Sequence, residues 1–335
     1  MQLIDNQAYR DPAVNLALEE FLVQRFTVDE AILLFYINDP TVVIGRNQIP
    51  FVEVNLQKMW RQKAAVVRRI SGGGAVYHGP GNLNFCLIKS RGKAPYPSPG
   101  DALRPVISGL GALGLAARLN ERHAILVDGK KITGSAQFRA RRKCLTHGTL
   151  LVSADLEELQ TMLAPDSEVA FFHGTRSVRD PVTNLNRYRP QLTMDALRNT
   201  LRQSFADVHG PIRKVALAPE DWAAIHHRAH AKYRSWDWNV GRSPLFTIRR
   251  RARLPWGWCE ASITTKRGIV THIETHSPEG APRHLTSLSA ALEGCRYHPD
   301  AVLAALNAAG GAQRTSASGE MADWLCPRYR WSLGG

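Results

Sequence analysis

The stretch RRISGGGAVYHGPGN, residues 68–82, is the most informative in the chain: two arginines precede three consecutive glycines, with only Ile70 and Ser71 between them. Glycine permits positive φ angles and close backbone approach to a ligand, and successive backbone N–H groups bind anions. Gly72, Gly73 and Gly74 therefore predict an anion-binding loop. Arg69 supplies a planar, permanently charged donor suited to phosphate or carboxylate. The alternative is a glycine-rich turn whose arginines face solvent.

Two later stretches carry further candidate residues. In GKKITGSAQ, residues 129–137, Lys131 leads into small residues and is a candidate cation beside a bound substrate, although surface lysines near hairpin turns are common. In CLTHGTLLV, residues 144–152, Cys144 and His147 have a spacing that suits a nucleophile and its base. The alternative for Cys144 is an inert, small apolar residue.

Composition limits the classes of partner. The 335 residues, 44% of them hydrophobic, predict one large or two moderate domains, and the net charge of +14 favours anionic partners. The densest basic runs, at 138–144 and 247–255, come with no nucleic-acid-binding motif, so nucleic acid is not an expected partner. Five scattered cysteines without zinc-ligand spacing predict free thiols, a reduced compartment and no protein metal site. We see no signal peptide and no membrane-spanning run, so we expect a cytoplasmic protein.

Patterning along the chain predicts mixed α and β structure. Residues 13–26 have helical spacing, AILLFYIND, TVVIGRN and AAVVRRIS are typical of strands, and AVYHGPGNLNFCLI predicts a hairpin over 75–88. A further hairpin is expected to turn at Asp128-Gly129. Residues 164–190, rich in Pro, Asn, Arg and Ser, predict a long loop. A break at 241–244 separates a small α+β unit, so we expect domains at 1–240 and 245–335.

Taken in order, the motifs resemble those of lipoate–protein ligases over nearly the whole chain. They are NLALEE (15–20), TVVIGRNQ (41–48), RRISGGGAVYH (68–78), GKKITGSAQ (129–137), HGTLL (147–151), SVRDPVTNL (177–185) and SWDWNVGRSP (235–244). The resemblance implies an α/β (α+β) fold like that of biotin–lipoate ligases, with a mixed sheet and flanking helices. It also implies a small accessory α+β domain at the C-terminus.

The resemblance implies an enzyme that activates lipoate with ATP and Mg²⁺ to lipoyl-AMP and passes the lipoyl group to a lysine. The acceptors would be lipoyl domains of the 2-oxoacid dehydrogenase E2 or glycine cleavage H protein type, and we expect a monomer. Lys131 would be catalytic and contact both nucleotide phosphate and lipoyl carboxyl group. The implied ATP-contacting residues are Arg69, Gly74, Ala75, Val76, Tyr77 and Lys131. The implied lipoate-binding residues are Arg46, Ser71, Gly72, Gly73, His78, Lys131, His147 and Thr149. The segment near 164–182 would close over the adenylate.

Three departures keep alternatives open. His123-Ala124 stands where the family typically has Asn-Asp, which removes a carboxylate near the adenine or Lys131. Asp180-Pro181 replaces a common Ser-Arg and removes a cation, and HGPGN resembles octanoyltransferases. One alternative is therefore an octanoyl or lipoyl transferase that acts through Cys144, or from preformed lipoyl-AMP, without ATP. Another is a non-catalytic protein that binds lipoyl-adenylate.

Overall fold

The computed structural model describes residues 1–25, 30–90, 98–140, 143–254, 257–276, 288–309, 316–326 and 328–329. Its residues form two compact units. The first contains Met1–Arg46, Val67–Gln160 and Ser177–Arg234, and the second contains Asn47–Val66, Thr161–Arg176 and Ser235–Gly335. Two arginines of the first basic run, Arg141 and Arg142, lie outside the described residues. The domain boundary at 240–245 stays a prediction.

The secondary-structure elements follow one another along both units. The strands are β1 Gln2–Ile4, β2 Ile32–Tyr36, β3 Thr41–Ile44, β4 Ala65–Arg68, β5 Val76–His78, β6 Asn82–Ser90, β7 Arg118–Leu119, β8 Ile125–Val127, β9 Lys130–Lys131, β10 Thr133–Arg139, β11 Lys143–Leu151, β12 Glu168–Phe172, β13 Arg213–Val215, β14 Phe246–Leu254, β15 Gly257–Lys266 and β16 Ile269–His276. The helices are α1 Pro12–Arg25, α2 Pro50–Glu53, α3 Leu56–Arg61, α4 Pro99–Ala112, α5 Leu156–Met162, α6 Met194–His209, α7 Pro219–Arg228, α8 Trp236–Asn239, α9 Leu288–Leu292, α10 Pro299–Ala309 and α11 Ser316–Leu325.

A six-stranded mixed sheet of order β10-β11-β6-β2-β1-β13 forms the centre of the first unit. β1 pairs parallel with β2 and β13, and the remaining pairs are antiparallel. β2 reads ILLFY and is buried along its whole length, as expected of a strand covered on both faces. Helices α4 and α6 share a hydrophobic core with one face of the sheet, and α1 packs against β6 and β11. The expected mixed sheet with flanking helices is therefore confirmed.

The expected hairpin over 75–88 is wrong. β5 pairs antiparallel with β3 in a second sheet, of order β4-β3-β5, whereas β6 pairs with β2 and β11. The Gly-Pro-Gly turn does close locally, since Asn82 N donates to Gly79 O at 3.0 Å, but it leads the chain from one sheet to the other. A Cβ on Gly81 would lie 2.3 Å from the carbonyl oxygen of Ser153, so only glycine fits there.

The hairpin at Asp128-Gly129 is confirmed, and it places the candidate lysine. β8 and β9 pair antiparallel with Val127 opposite Lys130 and Leu126 opposite Lys131. Asp128 has φ 47° and Gly129 has φ 72°, the left-handed pair that a two-residue type I′ turn requires. The sequence signal was local here, and Lys131 stands at the end of the returning strand.

The segment 164–190 is only partly a loop, because β12 and a short helix at Leu185–Arg187 lie within it. The partner of β12 is β14, which is distant in sequence, so local composition gave no sign of the pairing. Helix α6 also went unrecognised, although the Thr193 side chain caps it and Gly210, at φ 83°, ends it. Closure of this segment over a ligand stays a prediction.

The second unit contains a four-stranded antiparallel sheet of order β12-β14-β15-β16, with helices before and after it in sequence. In β15 the residues Cys259, Ala261 and Ile263 are buried and alternate with less buried ones, the pattern of a sheet with one covered face. Phe51 packs on Phe246 and Tyr297, with ring centroids 5.4 Å and 5.0 Å away. None of the described helices is long and apolar enough to cross a membrane.

Candidate active site

Arg69 lies buried beneath the glycine loop and directs its donors at the loop backbone. Its Nη2 donates to the carbonyl oxygens of Gly72 and Gly74 at 2.6 Å and 2.8 Å. Its Nη1 donates to Val43 O at 3.1 Å, and its Nε to Ser71 Oγ at 2.9 Å. Desolvation lowers the pKa of the guanidinium to about 10, so it stays charged at neutral pH. The arginine therefore shapes the loop and places a fixed positive charge below it.

The other face of the loop presents amide groups. In a trans peptide the N–H points opposite to the carbonyl of the preceding residue. Because the Gly72 and Gly74 carbonyls face Arg69, the N–H groups of Gly73 and Ala75 face away from it. The Ala75 N–H donates to Ser177 Oγ at 2.8 Å. Gly73 adopts φ +87°, which glycine tolerates, and its N–H lies on the face of the loop away from Arg69; anion binding by this face stays a prediction.

The space around the loop differs from one glycine to the next. Nothing lies within 4 Å of the place where a Cβ on Gly72 would stand. A Cβ on Gly74 would lie 3.0 Å from Ser177 Oγ, and one on Gly45 would lie 2.1 Å from the Gly73 carbonyl oxygen. Arg46, whose side chain is exposed, donates its N–H to Ser71 O at 2.8 Å. The loop is thus packed on one side and open at Gly72.

Lys131 and Val76, the first residue of β5 after the glycine loop, both lie beside Gly134. A Cβ on Gly134 would lie 3.4 Å from Val76 Cγ1 and 4.0 Å from Lys131 Cε. A Cβ on Gly73 would likewise meet Ala136 at 3.8 Å, so β10 runs alongside the loop. The lysine side chain is one-quarter exposed, which leaves its ammonium group accessible. The sequence-based grouping of the arginine–glycine motif with the lysine motif therefore has a geometric basis.

The segment 177–183 contacts both the arginine–glycine motif and Lys131. Ser177 Oγ accepts from the N–H of Ala75 in the glycine-loop motif. Lys131 N donates to Pro181 O at 2.8 Å, and Thr183 N donates to Lys131 O at 3.0 Å. The carboxylate of Asp180 accepts from Lys131 Nζ at 3.2 Å. This segment therefore joins the two motifs through backbone and side-chain hydrogen bonds.

A buried chain of hydrogen bonds runs from Glu19 on α1 to Arg69. Glu19 Oε2 lies 2.7 Å from His147 Nδ1, and His147 Nε2 lies 2.7 Å from Ser71 Oγ. Tyr36 donates to Glu19 Oε1 at 3.0 Å. These separations match a Ser-His-acid triad, but Ser71 is fully buried and its oxygen already accepts from Arg69. The chain therefore fixes His147 and Ser71 in place and supplies no exposed nucleophile.

A second chain fixes the tautomer of His78. Asn38 Nδ2 lies 2.9 Å from His78 Nδ1, and His78 Nε2 lies 2.7 Å from Thr149 Oγ1, which donates to Asn84 Oδ1 at 2.6 Å. With the amide of Asn38 donating, His78 carries its proton on Nε2. Burial, helped by Arg69, lowers the pKa of His78 to about 3, so the ring stays neutral. Thr149 and His78 are thus joined directly by a hydrogen bond.

Tyr77 points away from its neighbours. Side chains alternate along a strand, so Tyr77 lies on the opposite face of β5 from Val76 and His78. Its hydroxyl donates to Glu158 Oε2 at 2.6 Å, and burial raises the pKa of the phenol. Contact of its side chain with a nucleotide stays a prediction.

Cys144 and His147 do not form a catalytic pair. Three residues apart on β11, they project from opposite faces of the sheet. Cys144 is 1% exposed, and desolvation raises the pKa of its thiol. Arg139 of the neighbouring basic run acts to lower this pKa, but desolvation of the buried thiol outweighs it.

Several residues of the site escaped sequence reasoning. Glu19, Asn38 and Asn84 carry the buried hydrogen bonds, while Arg122 and Asp180 flank Lys131. Polar residues inside apolar runs, as in NLALEEF and NLNFCLI, were the available signal for the buried ones. Asn84 Nδ2 is buried and has no hydrogen-bond partner among the described residues.

Comparison with known families covers both ends of the chain. Residues 11–206 match the lipoyl protein ligase A/B catalytic domain, and residues 243–325 match the C-terminus of bacterial lipoate protein ligases. The chain is 35% identical over 273 residues to lipoate-protein ligase LplJ of Bacillus subtilis, and the match covers 81% of this chain and 82% of the relative. It is 33% identical over 299 residues to lipoate–protein ligase 1 of Staphylococcus aureus, covering 89% and 90%.

Solved structures of lipoate protein ligases also match the chain. A bipartite lipoate protein ligase from Thermoplasma acidophilum, described with its E2 lipoyl domain, matches with a TM-score of 0.61 and 27% identity over 72% of this chain and 96% of its own. A lipoate-protein ligase A bound with ATP matches with a TM-score of 0.59 and 27% identity over 72% and 97%.

Proposed function

The chain belongs to the lipoate–protein ligase family, and on that premise we propose that it uses ATP to join lipoate to a lysine of an acceptor protein. The observation that carries the proposal is that Lys131 lies beside Gly134, next to Val76, which follows the glycine loop whose carbonyls Arg69 bonds. A lipoate carboxylate and an ATP triphosphate repel each other, so bringing them together requires cations and amide donors at one place. The glycine loop supplies amide donors, and Lys131 and Arg69 supply the cations.

In the first half-reaction, a lipoate carboxylate oxygen attacks the α-phosphorus of ATP. The bond to the β-phosphate breaks, pyrophosphate leaves, and lipoyl-AMP remains. Lys131 neutralises charge on the carboxylate and the α-phosphate, while the Gly73 N–H and the field of Arg69 stabilise the phosphate oxygens. Because these groups are held by the fold, they need no reorganisation during the reaction.

In the second half-reaction, the neutral amine of an acceptor lysine attacks the acyl carbon of lipoyl-AMP. The mixed anhydride bond breaks, AMP leaves with the bonding electrons, and the amine loses one proton as the amide forms. No cysteine is required. Cys144, buried on the other face of the sheet from His147, is unsuited to carry an acyl group.

The proposed ligand contacts follow the two motifs. ATP lies along Arg69, Gly74, Ala75, Val76 and Tyr77, and lipoate lies along Arg46, Ser71, Gly72, Gly73, His78, His147 and Thr149. Lys131 contacts both. Support comes from the hydrogen bonds that join Ser71 to His147 and His78 to Thr149, since each pair is drawn from distant motifs.

Mg²⁺ accompanies ATP in this proposal as part of the substrate. The described residues contain no group of three or more His, Cys, Asp or Glu side chains that could hold a metal ion by itself. Mg²⁺ commonly binds through nucleotide phosphates, waters and one or two carboxylates, so the residues present are compatible with an ion that arrives with ATP. It would neutralise the leaving pyrophosphate.

The acceptors we propose are lipoyl domains of the E2 or H-protein type, recognised as acidic surfaces by a chain of net charge +14. The related ligase from Thermoplasma acidophilum is described with such an E2 domain. We further propose a monomer in the cytoplasm, where ATP is abundant and the five free cysteines stay reduced. Catalytic and accessory domains at 1–240 and 245–335 complete the proposal, supported by family matches at 11–206 and 243–325.

The proposal is tested by adenylate formation without any acceptor. Purified protein with lipoate and Mg-ATP should release pyrophosphate and retain lipoyl-AMP, and Lys131→Ala should not. As a matched control, Lys58→Ala removes a lysine of the second unit that lies outside both motifs, and it should leave the rate unchanged. Failure of the unaltered protein to form lipoyl-AMP would refute the proposal.

A further inference from the structure

We propose that Asp180 is a positioning residue that holds the Lys131 ammonium group in place for adenylate formation. The inference rests on the proposed function. It starts from the ion pair between Lys131 and a carboxylate of a separate segment: Lys131 Nζ lies 3.2 Å from Asp180 Oδ2.

The two oxygens of Asp180 serve two cations. Oδ2 accepts from Lys131 Nζ at 3.2 Å, and Oδ1 accepts from Arg122 Nη2 at 2.6 Å. The carboxylate is 17% exposed, while Lys131 and Arg122 are 25% and 56% exposed. Two cations around one anion leave a net positive charge. Lys131 is therefore restrained without losing its attraction for an incoming anion.

The backbone around Asp180 fixes its carboxylate relative to Lys131. Lys131 N donates to Pro181 O at 2.8 Å, and Thr183 N donates to Lys131 O at 3.0 Å, so Lys131 and Val182 form a parallel bridge. Pro181 also restricts the preceding residue to extended backbone conformations. Asp180 therefore cannot slide along the lysine strand, and its contact with Lys131 is built into the pairing.

A long lysine side chain has many rotamers, and a charge donor must be placed accurately to act on a transition state. Without Asp180 the ammonium group would sample positions away from the α-phosphate. Removing a negative charge beside the phosphate site would at the same time favour ATP binding. The first effect lowers kcat, whereas the second keeps the KM for ATP unchanged or lowers it. A general loss of structure would raise KM instead, and this difference separates a positioning role from loss of structure.

The test compares Asp180→Asn, which keeps the shape and removes the charge, with the unaltered protein in a lipoate-dependent pyrophosphate-release assay. We expect kcat to fall by ~10- to ~100-fold, with the KM for ATP unchanged or lower. Asp101→Asn is the matched control, because Asp101 also pairs with an arginine, Arg104, at 2.8 Å but on the exposed surface of α4. That control should change neither parameter.

A second variant moves the carboxylate instead of removing it. Leu126 lies opposite Lys131, and Ile132 N donates to Ile125 O at 3.0 Å, so Ala124 falls on the same face as Lys131, one diagonal step away. Ala124→Asp combined with Asp180→Asn should recover most of the lost kcat. Recovery by a carboxylate from another segment would not occur if Asp180 merely stabilised its own loop.

A third measurement does not depend on activity. Amine-reactive labelling of Lys131, quantified by mass spectrometry without substrates, should be faster in Asp180→Asn and normal in Asp101→Asn. Unchanged labelling and unchanged kcat in Asp180→Asn would overturn the inference, as would a rise in KM that matches the fall in kcat. Absence of adenylate formation by the unaltered protein would instead refute the proposed function, and labelling alone would then decide whether Asp180 restrains Lys131.

Discussion

Gly45→Ala should displace the glycine loop, and the structure gives the size of the displacement. The new Cβ would stand 2.1 Å from the carbonyl oxygen of Gly73, whereas real Cβ contacts essentially never fall under 3.0 Å. The loop must therefore retreat by roughly 1 Å, against hydrogen bonds of 2.6 Å and 2.8 Å from Arg69 to Gly72 and Gly74. Overpacking of this kind costs ~1–3 kcal/mol of stability. A shift of ~1 Å in a catalytic group costs up to ~100-fold in rate.

Two other glycines provide the comparison. Gly111→Ala adds a Cβ with nothing within 4 Å at an exposed position of α4, so it should stabilise the protein by ~0.5–1 kcal/mol and leave activity unchanged. Gly72→Ala also meets nothing within 4 Å, so stability should change by less than ~0.5 kcal/mol. Its adenylate formation should nevertheless fall, because the ligand approaches the backbone at that place.

The assays are denaturant unfolding and lipoate-dependent pyrophosphate release on all three variants. Normal stability and normal rate in Gly45→Ala would show that the loop is not held where the structure places it. Full activity in Gly72→Ala would show that Gly72 is a solvent-facing turn and that no ligand lies against it.

Lys131→Ala should reduce adenylate formation by ~10²–10³-fold, the usual cost of losing one preorganised charge donor, with an unchanged unfolding midpoint. Arg69→Ala should lose ATP affinity and also stability, because it leaves buried loop carbonyls unpaired; equal midpoints for the two variants would contradict this. Cys144→Ser should keep most lipoylation activity and form no acyl-enzyme by intact mass, and an acyl adduct on Cys144 would restore the transferase alternative. His78 has a folded pKa of about 3, below its ordinary 6.5, so the stability it contributes is complete above pH 6.5 and is lost as pH falls towards 3. Between these pH values the free energy of unfolding should fall by up to ~1.4 kcal/mol per pH unit, and it should fall less steeply in His78→Gln. Identical pH dependence in the two proteins would refute the assignment.

Local signals in the sequence predicted local structure well. The run ILLFY became a strand buried on both faces, and Asp128-Gly129 became a tight turn, because burial and left-handed φ angles depend on the residues themselves. The Gly79–Gly81 turn also formed, but the partners of β5 and β6 depend on strands far away in sequence. Local composition therefore could not show that the two strands belong to different sheets.

In the candidate site, too, local features were predictable from the sequence and long-range contacts were not. The residue types predicted the glycine loop, and the role of Lys131 came from the family resemblance; in the structure Lys131 and Val76, which follows the loop, both lie beside Gly134. The direction of the Arg69 guanidinium was not foreseeable, because it depends on carbonyl oxygens that the loop turns inward. Nor was the pairing of Asp180 with Lys131, which requires the parallel bridge at Val182 to bring the two segments side by side.

The most direct measurement of the central claim is the mass of an acceptor. Apo lipoyl domain is incubated with the purified protein, lipoate and Mg-ATP, and its intact mass is recorded with reactions lacking ATP or lipoate beside it. We predict that the acceptor gains one lipoyl group on its lysine only when both substrates are present. An acceptor that stays unmodified with ATP and lipoate, yet is acylated from octanoyl-carrier protein or preformed lipoyl-AMP, would contradict the ligase mechanism.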